Sequence, residues 1–386
     1  MTSRERMQVA MHPGSDRVAD RVPVMCQLAL GHYFLHAGLP AAEIWHDSHA
    51  FADALVSLQE RYRFDGILVN LPGRNPAWRD EAIATEPRKR ATVIRWSTGR
   101  YTVVPDDDLP HVCLEDTERP FSIAFADVDP EKLFYVEPYA HEGLQYGGPA
   151  EFPPWQWDTI KAVRRRAPDV SVHGEVFSPF SQLMELLGCT AGMIALVDDP
   201  WKVAACLQRL EAGTFALARG HFEAGADAVL ISSAYAGGGF ISPRHYERFV
   251  LPYEHALVDS LNKEFPGRPV YTHTCGAIGD RLELMVRSGT NGIDTLDPPP
   301  LGTVDLADAK ARLGTRVFIK GNMDPVNTVL RGTPEDCYRD ARERIAIASP
   351  GGGYILSTAC SVPPHAPPEN VLQLARAADD AAASGS

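Results

Sequence analysis

Short runs of aliphatic and β-branched residues recur along this chain. Most of them are followed by a stretch whose apolar positions fall three and four apart, which is how parallel strands joined by crossover helices read. Eight runs are predicted as strands: residues 23–28 (PVMCQL), 67–71 (ILVNL), 170–176 (VSVHGEV), 228–233 (AVLISS), 270–274 (VYTHT), 292–296 (GIDTL), 317–320 (VFIK) and 354–357 (YILS). Several follow a turn signal closely, as at Phe64-Asp65-Gly66, Ser288-Gly289 and Gly351-Gly352-Gly353. Eight such units predict an α/β fold of the (β/α)8, or TIM-barrel, class, closed on itself.

The second and third units stand about a hundred residues apart, far more than a crossover needs, so an insertion is placed at about 75–165. Residues 91–96 (ATVIRW) and 100–104 (RYTVV) alternate across Ser97-Thr98-Gly99 and predict a hairpin. Residues 134–148 (FYVEPYAHEGLQYGG) are aromatic and Gly-rich. The expectation is one catalytic domain over 1–386 with a partly β flap after the second strand. The tail 377–386 reads as frayed.

Composition narrows the class. No apolar run approaches the roughly 20 residues that span a bilayer, and the charged start lacks the apolar core of a secretion signal, so a soluble cytoplasmic protein is expected, with no membrane partner. A net charge of −13 argues against a nucleic-acid surface. The one basic cluster, residues 161–166 (KAVRRR), reads as the solvated face of a helix. Seven cysteines do not make the even framework of a secreted disulfide protein, which leaves reduced thiols or metal ligands.

The chemistry lies in residues 270–276 (VYTHTCG). His273 and Cys275 are two apart at a strand end and so face one side together. The last strand runs into Cys360, a second thiol at the same C-terminal rim where barrel enzymes assemble their sites. One imidazole and two thiols suit Zn2+ with an open fourth position, and a thiol entering that position would be deprotonated at neutral pH. Of the other thiols, Cys26 is expected in the core, Cys189 and Cys206 on helices, and Cys113 and Cys337 on loop or helix surface.

These motifs resemble a known family. The chain is similar to the uroporphyrinogen decarboxylase superfamily, and within it to the zinc-dependent corrinoid methyltransferases of the methylcobalamin:coenzyme M type. The resemblance rests on residues 4–7 with 20–24, 174–179 (GEVFSP), 224–227, 271–276 (YTHTCG), 321–325 (GNMDP) and 354–360 (YILSTAC). It implies zinc on His273, Cys275 and Cys360. It also implies a methyl group passed from a methylated corrinoid (methylcobalamin type), carried on a small partner protein, to a zinc-bound thiol or to a pterin. The decarboxylases share an Arg-bearing segment, F-x-R-Q-A-G-R, where this chain reads PVMCQLALGHYF, so the arginines that pair with porphyrin carboxylates are missing here.

Around the ligands, Glu175 is read as a catalytic base, an orienting carboxylate or a fourth ligand. Tyr235, Asp294 and Asn322 are read as substrate-binding. Asp297 reads as a turn residue and Asp324 as a helix cap. Gly237-Gly238-Gly239 makes a rim loop and lacks the company of a phosphate loop. His365 reads as a loop histidine, and His32, His36, His46 and His49 as surface or core. A zinc hydrolase, a decarboxylase-like lyase and a non-catalytic tetrapyrrole-binding scaffold stay open as alternatives.

Overall fold

The computed structural model describes residues 1–114, 123–139, 145–146 and 152–384. Seven strands form one parallel sheet in chain order: β1 (Gly66–Val69), β2 (Ser171–Phe177), β3 (Ala228–Ser232), β4 (Val270–His273), β5 (Gly292–Thr295), β6 (Phe318–Met323) and β7 (Tyr354–Thr358). Helices return the chain between them, among them Pro200–Glu223, Leu251–Glu264 and Pro334–Ala348. Each of the last two, like several others, opens with Pro at its first turn, where the missing N–H costs nothing.

The first predicted strand departs from expectation, so the ladder has seven strands and not eight. Residues 23–28 make only two isolated bridges, Val24 to Leu356 and Leu28 to Val362. On that side Met25 N donates to Leu356 O at 3.0 Å and Val362 N to Gln27 O at 2.8 Å. On the other side Asp65 N donates to Val24 O at 2.7 Å, while Val24 N gives its proton to the Asp65 side chain at 2.8 Å. A side chain thus takes the donor that a ladder would have used. Both edges of the sheet meet this one segment, so the sheet curls around an interior.

That interior has layers. Helix α1 (Ser3–Ala10), closed by a Thr2/Glu5 capping box, sends Met7 into a cluster with Met25, Leu68, Ala228, Leu230, Tyr271, Phe318 and Ile355. These come from the 23–28 segment and from five of the strands. Side chains alternate along a strand, so two residues onward the same face carries Gln27, Asn70, Ser232, His273, Lys320 and Ser357. On β5 the lower position is Gly292, because the Phe318 ring lies where its Cβ would be, within 2.3 Å. Its upper position is Asp294. On β2, His173 reaches Tyr271 Oη at 2.8 Å, and Glu175 follows. The lower layer is therefore almost wholly apolar and the upper layer wholly polar.

Helix α1 and the segment that follows it are pinned by charge. Asp65, fully buried, accepts from Arg6 Nη1 at 2.5 Å and Arg21 Nη1 at 2.8 Å. Between β1 and β2 lies a four-stranded antiparallel sheet of Ala82–Arg88, Ala91–Trp96, Arg100–Pro105 and His111–Leu114. Its central hairpin turns at Gly99, whose φ of 78° only glycine adopts freely. Trp96 and Ile94 pack with Trp78 beneath it. Of the aromatic stretch 134–148, residues 140–144 and 147–148 lie outside the described residues.

The two thiols expected at the surface are corrected. Cys113 is buried in the antiparallel sheet, and Cys337 is fully buried on its helix, its Sγ 3.3 Å from Thr328 O. The basic run lies on the helix Asp158–Arg166, which buries Ile160 and Val163 while Arg164 pairs with Asp227 and Arg166 with Asp53. Among the described residues no single helix is long and apolar enough to cross a membrane.

Candidate metal centre

β4 ends at His273, and two residues later the chain brings Cys275 to the same side. His273 Nε2 lies 3.1 Å from Cys275 Sγ, and Cys275 Sγ lies 3.7 Å from Cys360 Sγ. The ligand atoms of the three residues all fall within 4.8 Å of one another. Gly276, at a φ of 76°, turns the backbone away directly after Cys275, and its N–H donates to Asp297 Oδ2 at 2.7 Å. Asp297, read from sequence as a turn residue, thus fixes the turn that carries a thiol.

Cys360 comes from the loop after β7. Ala359 N donates to Met323 O at 2.7 Å, and Thr358 Oγ1 to Cys360 O at 2.5 Å. Beyond it, His32 Nδ1 sits 3.0 Å from Pro363 O while its Nε2 meets Tyr62 Oη at 2.7 Å. His36 Nε2 lies 3.2 Å from Pro364 O. The two early histidines therefore staple the loop that bears the distant thiol. His365 faces Asp107 of the inserted sheet at 3.0 Å, away from the thiols.

Asp294 lies behind His273, with Oδ2 3.5 Å from Nδ1. Both its oxygens also accept from Lys320 Nζ at 2.9 Å. Expected from sequence to touch substrate, Asp294 is taken up by the histidine and the lysine. Lys320 escaped the sequence reading, although a lone lysine in the run VFIK was a signal, since a charge inside a buried strand needs a partner. Asn322 is fully buried, its amide donating to Leu296 O at 2.8 Å. Asp324 caps the turn Pro325–Leu330 through Val326 and Asn327 N–H. Tyr235 Oη donates to Glu185 at 2.8 Å, and its ring lies edge-on to Phe240 at the rim.

The electrostatics are strongly coupled. Burial works against charge on His273, yet Asp294 and the Cys360 sulfur lift its pKa to about 10. A hydrogen bond from Cys275, reinforced by His273, holds the Cys360 thiol well below its usual value, and the same bond together with burial raises Cys275. Burial also pushes Glu175 up to about 7, against the pull of His273 and Ser232, and Asp297 up to about 6. Five polar atoms that are buried, Gln27 Oε1, Asn70 Oδ1, Thr274 Oγ1, Asn322 Oδ1 and Ser357 Oγ, have no hydrogen-bond partner among the described residues. Buried polar atoms left in this way are completed by water or by a ligand.

Residues 141–381, more than half of the chain, match the family model of uroporphyrinogen decarboxylase (URO-D). The chain belongs to the URO-D family. Among curated URO-D relatives, the uroporphyrinogen decarboxylase of Pseudoalteromonas atlantica is 33% identical over 175 residues, 45% of this chain and 46% of that protein. That of Edwardsiella ictaluri is 33% identical over 222 residues, 55% of this chain and 60% of that protein. This URO-D chain thus matches about half the length of such relatives. Among solved structures, a methyltransferase from Methanosarcina mazei superposes with a TM-score of 0.73 at 20% identity, over 98% of this chain and 99% of that one. A B12-independent methionine synthase from Shewanella sp. W3-18-1 does so with a TM-score of 0.54 at 12% identity, over 95% and 98%. At these identities the likeness is one of fold.

Proposed function

We propose that this chain is a zinc-dependent methyltransferase that passes a methyl group from a methylated corrinoid, held by a partner protein, to a thiol, with a pterin as the alternative acceptor. The observation that carries the reading is the meeting of His273, Cys275 and Cys360 within 4.8 Å. Two soft sulfurs and one imidazole fit zinc, and three protein ligands leave a fourth position for a reactant. Bound there, zinc would lower the pKa of an incoming thiol, so that a nucleophilic thiolate is available at neutral pH.

The chain's own residues set up that step. Asp294, itself held by Lys320, faces the Nδ1 side of the His273 ring at 3.5 Å, with Nε2 toward the sulfurs. Glu175, with a pKa near 7, is placed to take the proton that the acceptor thiol gives up. Tyr235 at the rim and the free Asn322 Oδ1 are the polar contacts offered to substrate. In the same reading, residues 23–28 are the eighth stave of a closed barrel, and the insertion at 75–165 is a flap over its mouth. The fold likeness to the Methanosarcina methyltransferase over nearly the whole chain supports it.

The identity to uroporphyrinogen decarboxylases favours a second reading, a decarboxylase of a porphyrin carboxylate. Against it, Lys320 of the upper layer is already held by Asp294, and residues 23–34 contain no arginine to pair with carboxylates.

The test is zinc K-edge absorption on the purified protein, assayed for metal and titrated with thiols. One ion per chain and a rise from two to three sulfurs on adding a thiol support the methyl-acceptor mechanism. Metal without thiol entry moves pterin or hydrolytic chemistry ahead, and no metal uptake overturns the ligand set.

A further inference from the structure

Toward β1 and β2 lies a space of about 20 Å³, room for one group the size of a water molecule. Glu175 is common to this space and the metal centre. It feels His273 and Cys360 on one side, and on the other it lines this cavity with Glu137, Tyr135, Tyr139 and Phe177. Among the described residues no lysine or arginine lines it. Arg74 stands outside, its guanidinium donating to the carbonyls of Trp45 and Tyr139 and stacked 4.5 Å from the Trp45 ring.

The wall also holds an acceptor with nothing to accept. Asn70 Oδ1 has no partner among the described residues. His221, 4% exposed, has only the backbone of Glu175 beside its ring, and burial pushes its pKa down to about 4, so it is neutral. Burial likewise raises Glu137 to about 7, against the pull of the Tyr139 N–H that it accepts at 3.0 Å and of Arg74. An ammonium group has the size of water, three donors, no acceptor and a positive charge. It answers every one of these features, whereas a sulfonate or carboxylate is too large and carries the wrong sign.

We infer that this cavity receives the protonated amine of the methyl acceptor, which is therefore a small aminothiol: its sulfur goes to the metal centre and its ammonium to Glu137. The inference rests on the thiol-methylating role proposed above. Glu175 and His273 stand on strands two apart, roughly 10 Å along the sheet, and both side chains reach inward from there. A short carbon chain spans what is left.

The experiment uses the full chain loaded with zinc or, for a spectroscopic readout, with cobalt. Binding at pH 7 is measured by calorimetry for 2-aminoethanethiol, 3-aminopropanethiol and 4-aminobutanethiol, against 2-hydroxyethanethiol and 2-mercaptoethanesulfonate. Sulfur entry is followed by the sulfur-to-cobalt charge-transfer band. At least one aminothiol is expected to bind about tenfold or more tightly than the hydroxythiol, with the sulfonate weakest. In Glu137→Gln that preference should vanish while the band is still induced. If amino and hydroxy thiols bind alike and both induce the band, the aminothiol assignment is wrong and the thiol-acceptor reading stands. If no thiol induces the band, both fall. Should Glu137→Gln not fold, the comparison of head groups on the unaltered protein decides alone.

Discussion

Two layers, one residue pair apart on the same strands, divide the interior of this protein. Leu230, Tyr271 and Phe318 pack dry against helix α1, while Ser232, His273 and Lys320, each two positions further on, make a polar ring with orphaned neighbours. The backbone frame is the same in both. What differs is that the lower layer lowers the free energy of the fold by itself, and the upper layer does so only when something else completes it. Stability and chemistry are thus separated along the strand direction, not between strands.

The largest break in this comparison is a lost ligand. Cys360→Ala should abolish stoichiometric zinc binding, read by elemental analysis, yet leave the circular dichroism spectrum and the lower layer intact. Phe318→Ala should do the reverse: a loss of about 3–5 kcal/mol in denaturant unfolding with metal retained, because the cost is a cavity in the dry layer. Asp294→Asn sits between. It keeps the shape but loosens the hold on His273, and zinc affinity by competition with a chelator should fall about 10–100-fold.

Protonation sharpens the contrast further. Glu137 is held near 7 in the folded state against an ordinary 4.5, so the stability it contributes is complete below about 4.5 and is lost as pH rises through 7. Glu137→Gln should therefore gain stability relative to the parent over that window, by about 1–3 kcal/mol in paired urea melts. A variant that tracks the parent at every pH sinks the assignment of that charge. The smallest effect belongs to Ser357→Ala. Its hydroxyl is buried without a partner among the described residues, so its removal should change stability by no more than about 0.5 kcal/mol, or raise it.

Much of this was legible in the residues. Seven of the eight predicted runs are strands of one sheet, because parallel strands buried on both faces are rich in aliphatic and β-branched residues, and that leaves a plain mark. The eighth, 23–28, has the same composition. It fails to join a ladder because Asp65 captures its N–H, and no local pattern announces a side chain from forty-one residues away. The His-x-Cys pair was readable from alternation, and Cys360 from the end of a strand. Asp294 reads as a substrate contact, while its partners in the fold, Lys320 and His273, lie on neighbouring strands and only the register brings them level. Glu137 was invisible for a like reason: it comes from a two-residue strand inside the insertion, and its meaning depends on what lies opposite.

Cys360 enters the cluster from 85 residues beyond Cys275. During synthesis, a chain that has reached Cys275 owns two of the three ligands and cannot yet hold the ion as the finished protein would. Metal capture would come only after β5, β6 and β7 have been made and seated in order, and it would then lock the last strand to the fourth. Such a centre would serve as an inspector of assembly as well as a reagent: a molecule truncated or misthreaded anywhere in that stretch would be marked by its failure to keep the ion.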